Sequence, residues 1–260
     1  MSILKPLAVA AALVVAAPAA EAQSALNEIL GQGVLKVGTT GDWNPMTMRD
    51  PASGGYVGYD IDVMTQLAAD LGVEVEFVAT DWRTLVNGVV SGAYHITGSA
   101  SISPARAKVA GYSISYFSLA TVPLIRDADA ARFSDWEDLN APGVKVAATL
   151  GTTQEQQVKA FFPEAEHVIV EAPARDWQEV LAGRADAHIT SNVEAYRLVE
   201  QYPELMIVPV SRARARTPVA MLMAQDDQVW INYVNTWITL QKEAGFFDEL
   251  AAKWQLANNS

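Results

Sequence analysis

The segment Gly98-Ser99-Ala100-Ser101-Ile102-Ser103-Pro104-Ala105-Arg106 gathers small hydroxyl residues, a proline and one arginine behind an apolar, strand-like run. A guanidinium offers a planar fork of donors that fits a carboxylate, and Ser99 and Ser101 can fill the remaining acceptor positions. Pro104 suits a first helical turn, whose free N–H groups would face the same anion. The segment reads as a cradle for a small carboxylate. Gly151-Thr152-Thr153 has related chemistry, because glycine lets backbone approach a ligand closely and a following helix presents free N–H groups. Trp82 follows a strand-like run and is suited to line a cleft, whereas Arg212, Arg214 and Arg216 alternate along one strand face. That arginine row reads as an exposed edge that resists strand pairing, with a second cation for a ligand as the other use. His95, His167 and His188 are scattered without metal spacing, and His95 and His188, in strand-like segments, read as structural. No Gly-x-Ser-x-Gly elbow, Walker loop or dinucleotide fingerprint is present, so neither cofactor nor metal is expected.

The elements that must position these residues alternate between two periodicities. Val34–Thr39 reads as a strand, Ile61 to Leu71 as a helix closed by Gly72, and Val73 to Phe77 as a half-buried strand. Leu85–Val90 reads as a short helix, Tyr94–Thr97 and Val122–Ile125 as strands. A second set follows: a capping box at Ser134 and Glu137, then strands at 144–148, 167–170, 187–190 and 206–210. Helices fall between them at 154–162, 177–182 and 193–201. A strand at 219–223 and helices at 230–243 and 246–254 complete the chain. The pattern predicts an α/β fold of two lobes, each a mainly parallel sheet flanked by helices, with the ligand cleft between them. Residues 23–127 and 215–260 form the first lobe and 128–214 the second, with crossovers near 125–131 and 210–217.

Composition narrows the class. The net charge of -12 argues against nucleic acid or an anionic membrane as main partner, and 50% hydrophobic content supports a large core. The absence of cysteine removes disulfides, thiol nucleophiles and thiolate metal sites. Lys5, the apolar run Leu7–Ala17 and Ala20-Glu21-Ala22 read as a secretory signal over residues 1–22, with Gln23 starting the mature chain. No other apolar run approaches the ~20 residues a membrane span needs. A cysteine-free secreted chain suits a bacterial periplasm.

Further marks are Gly33-Val34-Leu35-Lys36-Val37-Gly38-Thr39, Gly58-Tyr59-Asp60-Ile61-Asp62-Val63, Tyr112-Ser113-Ile114-Ser115-Tyr116 and Gly183-Arg184-Ala185-Asp186-Ala187. With Ser99, Ser101, Arg106 and Gly151-Thr152-Thr153-Gln154-Glu155, their order and spacing resemble the family 3 periplasmic solute-binding proteins of ABC importers, over nearly all of the mature chain. The resemblance implies the type II two-lobed fold, a monomer and a membrane permease as partner. It implies that Arg106 clamps a ligand carboxylate with Ser99 and Ser101 assisting, while Thr152 and Thr153 close from the opposite lobe. Trp43, in Gly41-Asp42-Trp43-Asn44-Pro45, falls where the family stacks an aromatic on the ligand.

The chain departs from that pattern at Thr190-Ser191-Asn192-Val193-Glu194. Many amino-acid receptors of the family carry an aspartate at the position of Ser191, where it pairs with the ligand ammonium. Asp42 and Glu194 are the substitutes at hand. Thr39-Thr40-Gly41-Asp42 and Val193-Glu194-Ala195 also resemble the cyclohexadienyl dehydratase branch, enzymes on this fold that act on prephenate or arogenate. The resemblance implies Glu194 as general acid, a role that needs a carboxyl kept protonated by desolvation. Against it, 117–121 lacks the basic residues of that branch, Ser191 replaces its aspartate, and Arg106 satisfies one of prephenate's two carboxylates. Capture of a small carboxylate is therefore the first expectation and dehydration the alternative.

Overall fold

Helix α1 (Ala25–Gln32) starts where Ser24 Oγ accepts the Leu26 N–H and stops at Gly33 in the left-handed region. The computed structural model describes residues 24–256, so the expected signal over 1–22 lies outside the described residues. Strand β1 (Val34–Thr39) is followed by β2 (Asp42–Trp43), β3 (Thr47–Arg49) and β4 (Tyr56–Val57), which form a small antiparallel sheet of their own. Then come α2 (Tyr59–Leu71), β5 (Glu74–Ala79), α3 (Leu85–Val90), β6 (Ile96–Ser101), α4 (Pro104–Ala107), β7 (Gly111–Tyr112) and β8 (Phe117–Arg126). Strand β1 pairs in parallel with β5 on one side and β6 on the other.

The second lobe runs through β9 (Lys145–Thr149), α5 (Thr153–Phe161), β10 (Glu166–Val170), α6 (Asp176–Leu181), β11 (Ala187–Ser191), α7 (Asn192–Gln201) and β12 (Leu205–Ile207). Strand β9 pairs in parallel with β10 and β11. Strand β13 (Arg214–Met223) returns the chain to the first lobe, where α8 (Gln228–Glu243) and α9 (Phe246–Lys253) pack. The strands join in the order β10-β9-β11-β8-β13-β6-β1-β5.

Strands β8 and β13 are the two connections between lobes, and each changes partner along its length. Residues 117–121 of β8 pair with β13, while Thr121–Ile125 pair antiparallel with β11. Residues Arg214–Val219 of β13 pair with β8, and Val219–Leu222 with β6. The partner changes near Thr121 and Val219, short of the expected crossovers at 125–131 and beyond those at 210–217. Val122–Ile125 therefore belongs with the second-lobe sheet, not with the first. The apolar alternation of a strand marks it as buried but carries no label for its partner. The capping box also sits one residue later than expected, on Asp135 and Asp138, because Ser134 Oγ donates to Asp138 rather than accepting a backbone N–H.

Each lobe has its own core. Tyr59, Leu67, Trp230 and Trp237 anchor the first, and Trp136, Val158, Phe162 and Ile189 the second. Each such side chain contributes roughly 1.5–3 kcal/mol on burial. The carboxyl ends of β1, β6, β9 and β11 carry or precede Asp42, Ser101, Gly151 and Thr190, so the site forms where ligands sit in open α/β sheets.

Candidate functional site

A cavity of about 450 Å³ lies between the lobes and takes its walls from both. That volume is in the range of small-molecule sites. Trp43, Trp82, Ser99, Ser101 and Arg106 line it from the first lobe; Thr152, Thr153 and Glu194 line it from the second. Of the residues the sequence singles out, these eight meet at one place. Ser191 does not: it is buried, and its Oγ caps α7 by accepting the Glu194 N–H at 3.3 Å. Arg212, Arg214 and Arg216 line an open groove with Phe161 instead, where Arg214 pairs with Glu137 at 2.9 Å and covers the Trp136 ring.

Arg106 sits on the short helix α4, whose first N–H groups are ordered by Ser103 accepting the Arg106 N–H at 3.3 Å. Its side chain is 8% exposed. Nη1 donates to the Ser101 carbonyl and Nη2 to the Gly151 carbonyl across the cleft, both at 3.3 Å. Burial pulls its pKa down, with Tyr112 opposing. Among the described residues it has no carboxylate partner, so a buried positive charge faces the cavity.

Ser99 is held in the left-handed region at φ 38, an uncommon conformation for a residue with a Cβ and one that recurs at functional sites. Its Oγ donates to Asp60 Oδ1 at 2.6 Å, and the Tyr116 hydroxyl donates to the same oxygen at 2.8 Å. Burial pushes Asp60 up to about 7 against those two bonds. Ser99 thus leans on a buried acid beneath the first-lobe wall.

On the opposite side, Gly151 has φ 81, and a Cβ there would lie 2.7 Å from the Arg83 backbone. Only glycine permits this approach of the lobes. Thr152 Oγ1 caps α5 by accepting the Glu155 N–H at 3.2 Å and donates to the Thr149 carbonyl at 2.6 Å. Trp43 and Trp82 meet edge to face with centroids 5.7 Å apart, and Trp82 Nε1 donates to Asp42 Oδ1 at 3.1 Å.

The remaining wall joins Asp42 and Glu194, which the sequence singles out, to Arg175 and Asp176, which motif reading passed over. Arg175, preceding α6, places Nη1 2.7 Å from Asp42 Oδ2 in the first lobe and Nη2 2.8 Å from Glu194 Oε1 in the second. It also donates to the Asp42 carbonyl. Burial works against its charge, but Glu194, Asp42 and Asp176 outweigh that and raise its pKa. Thr190 Oγ1 donates to Glu194 Oε2. Burial raises the Glu194 pKa against the pull of Arg175 and His188. His188, expected to be structural, lines the cavity between Asp176 and Glu194. Asp176 is buried too, yet His188 and Arg175 overcome the burial and hold it at about 2. A sequence signal for part of this wall existed: His188 and Thr190 share a strand face, and Glu194 stands one helical turn beyond. Arg175 gave no such signal. No cluster of side chains suited to a metal ion is present among the described residues, and no helix there is long and apolar enough to cross a membrane.

Comparison with known proteins places the chain in a family. Residues 35–257 match the model of bacterial extracellular solute-binding proteins, family 3. The chain is 30% identical to a cyclohexadienyl dehydratase of Pseudomonas aeruginosa over 94% of this chain and 90% of that one. It is 36% identical to the crystal structure of an ancestral amino-acid-binding protein, a precursor of cyclohexadienyl dehydratase, at a TM-score of 0.83 over 89% of this chain and 99% of that one. A substrate-binding protein of an amino acid ABC transporter from Streptococcus pneumoniae, bound to L-arginine, superimposes at a TM-score of 0.81 with 25% identity, covering 90% and 99% of the two chains.

Proposed function

Because this chain belongs to the family 3 bacterial extracellular solute-binding proteins, we propose that it captures a small carboxylate solute in the periplasm and delivers it to an ABC importer. The solute is amino-acid-like or an aromatic or keto acid, and the protein acts as a monomer. One observation carries the reading. Arg106 is buried, has no carboxylate partner among the described residues, and reaches from one lobe to the Gly151 carbonyl of the other. A ligand carboxylate at that place would compensate the charge and join the lobes, a hinge closure in which each lobe holds part of the ligand.

The missing aspartate at Ser191 is no longer the only route to an ammonium. Asp176 and Glu194 stand on the second wall, and Asp42 of the first lobe meets them through Arg175. A thermal-shift screen of amino acids, matched hydroxy and keto acids, and prephenate reads out the ligand, since binding to the native state raises the melting temperature. For the best ligand, Arg106→Ala should weaken binding at least tenfold, in line with the ~1.5–3 kcal/mol of a charge-assisted hydrogen bond. Unchanged affinity by calorimetry would refute the clamp.

A second reading is favoured by a specific observation: Glu194 lines the cavity, is 6% exposed, and has a raised pKa. These are the properties of a general acid. Arg175 lines the same cavity, but its Nη atoms are engaged by Asp42 and Glu194, which leaves its buried Nε as the atom open to a second carboxylate. As a dehydratase, the protein would protonate the departing hydroxyl from Glu194, releasing water and carbon dioxide and leaving phenylpyruvate. Incubation with prephenate, followed by phenylpyruvate absorbance in alkali, tests this. No turnover, or equal turnover by Glu194→Gln, ends the catalytic reading.

A further inference from the structure

Three ionisable side chains stand in line along the second-lobe wall. His188 Nδ1 lies 3.1 Å from Asp176 Oδ2, and His188 Nε2 lies 3.9 Å from Glu194 Oε2. All three line the cavity, at 2%, 2% and 6% exposure for Asp176, His188 and Glu194. Asp176 is on the first turn of α6, His188 on β11 and Glu194 on the first turn of α7, so three elements fix the row.

The arrangement gives the two ring nitrogens different tasks. The ionised Asp176 carboxylate lies on the Nδ1 side and favours the tautomer with its hydrogen there. Nε2 is then the exchanging atom. Nε2 is buried without a hydrogen-bond partner, and Nδ1, though 3.1 Å from Asp176 Oδ2, also lacks a well-formed one. A buried ring nitrogen left in that state is costly, and such atoms call for a reason. The gap to Glu194 is longer than a hydrogen bond but within reach of a side-chain reorientation or one bridging water.

We propose that His188, positioned by Asp176, exchanges a proton with Glu194 and so sets whether Glu194 faces the ligand as acid or as carboxylate. In the step, the imidazolium Nε2–H bond breaks and an O–H bond forms at Glu194 Oε2. A neutral imidazole and a neutral carboxyl result, while Nδ1–H stays with Asp176. Arg175 holds the other oxygen, Oε1, at 2.8 Å, and Thr190 donates to Oε2. The remaining charged groups facing the row are Asp42, which shares Arg175, and Arg106 on the opposite wall. Burial raises the Glu194 carboxyl above its ordinary value, against the pull of Arg175 and His188. The inference deepens the second reading, in which Glu194 acts as acid, and would recharge that acid after each turnover.

The test does not depend on turnover. Ligand-free protein labelled with ¹³C-glutamate and ¹⁵N-histidine is titrated by NMR. The Glu194 δ-carbon should titrate in two steps, one coinciding with the His188 ring, because strongly interacting sites share macroscopic steps. His188→Gln should reduce this to one step with a midpoint shifted upward by about one pH unit, since a facing cation favours the carboxylate. A single Glu194 step in wild type, or a midpoint unmoved by His188→Gln, overturns the proposal. If that variant does not fold, the wild-type titration alone decides. Prephenate then separates the two claims. Turnover whose pH profile is unchanged in His188→Gln keeps the dehydratase reading and overturns the proton exchange. Absence of turnover removes the reading while the NMR titration still decides the exchange.

Discussion

The two walls of the cleft each rest on a buried aspartate, and the pair titrates in opposite directions. Asp60, beneath the first-lobe wall, is 5% exposed, and Asp176, behind the second, is 2% exposed. Burial pushes Asp60 up to about 7, since only the Ser99 and Tyr116 hydroxyls oppose it. Burial acts on Asp176 as well, yet His188 and Arg175 hold it at about 2. Neutral donors leave a buried carboxylate uncomfortable, whereas cations make it permanent. The first wall therefore presents Arg106, which has no carboxylate partner among the described residues, over a weakly charged floor. The second presents a network whose charges are already matched to one another.

The contrast is broken most forcefully at Arg175. It joins Asp42 of one lobe to Glu194 of the other with a side chain 11% exposed. Arg175→Met would leave both carboxylates facing low-dielectric surroundings. The expected loss is about 3–5 kcal/mol, the usual cost of removing one partner of a buried pair. Urea unfolding at neutral pH measures it. A loss below about 1 kcal/mol would mean that the second wall is no more integrated than the surface.

That same residue shows where sequence reading stops. Arg106, Ser99 and Ser101 lie within one local segment, and Gly151-Thr152-Thr153 within another, so their chemistry could be read from adjacent letters. Trp82 was legible behind a strand-like run, and Trp43 through the family resemblance. The α/β order and the two lobes followed from alternating periodicities. The second wall is different in kind. Arg175, Asp176, His188 and Glu194 come from three segments, and Asp42 comes from the other lobe. Nothing local marks Arg175, because its partners exist only after the lobes meet. For the same reason the partner change of β8 at Thr121 was not legible, since pairing is a property of the sheet rather than of the strand.

The two aspartates supply the next test, through opposite dependences on pH. The raised Asp60 adds stability that is fully present below its ordinary pKa of 3.8 and is lost as pH rises through about 7. The depressed Asp176 adds stability that is present above 3.8 and is lost as pH falls through about 2. Asp60→Asn keeps an acceptor for Ser99 and Tyr116 and removes the charge. It should therefore gain up to about 4 kcal/mol at pH 8 and little at pH 4. Asp176→Asn should lose about 2 kcal/mol at pH 7 and nothing near pH 2. Urea midpoints across that range read both. Parallel slopes for the two variants would mean that burial alone, not the identity of the partner, governs these acids.

The smallest expected effect comes from a second ion pair that also crosses the cleft. Arg83 Nη1 lies 2.9 Å from Glu171 Oε1, nearly the separation of Arg175 from Asp42, but the two side chains are 60% and 58% exposed. Water screens that attraction, and ordering two long side chains offsets much of the remainder. Arg83→Ala should change stability by no more than about 0.5 kcal/mol, and 0.5 M salt should remove even that. Ligand affinity should stay within about twofold, because Arg83 does not line the cavity. A loss matching that of Arg175→Met would show that bridging the lobes, regardless of burial, is what stabilises the closed cleft. A negligible loss would assign the stabilisation to the dry network of the second wall, where the same geometry acts without water between the charges.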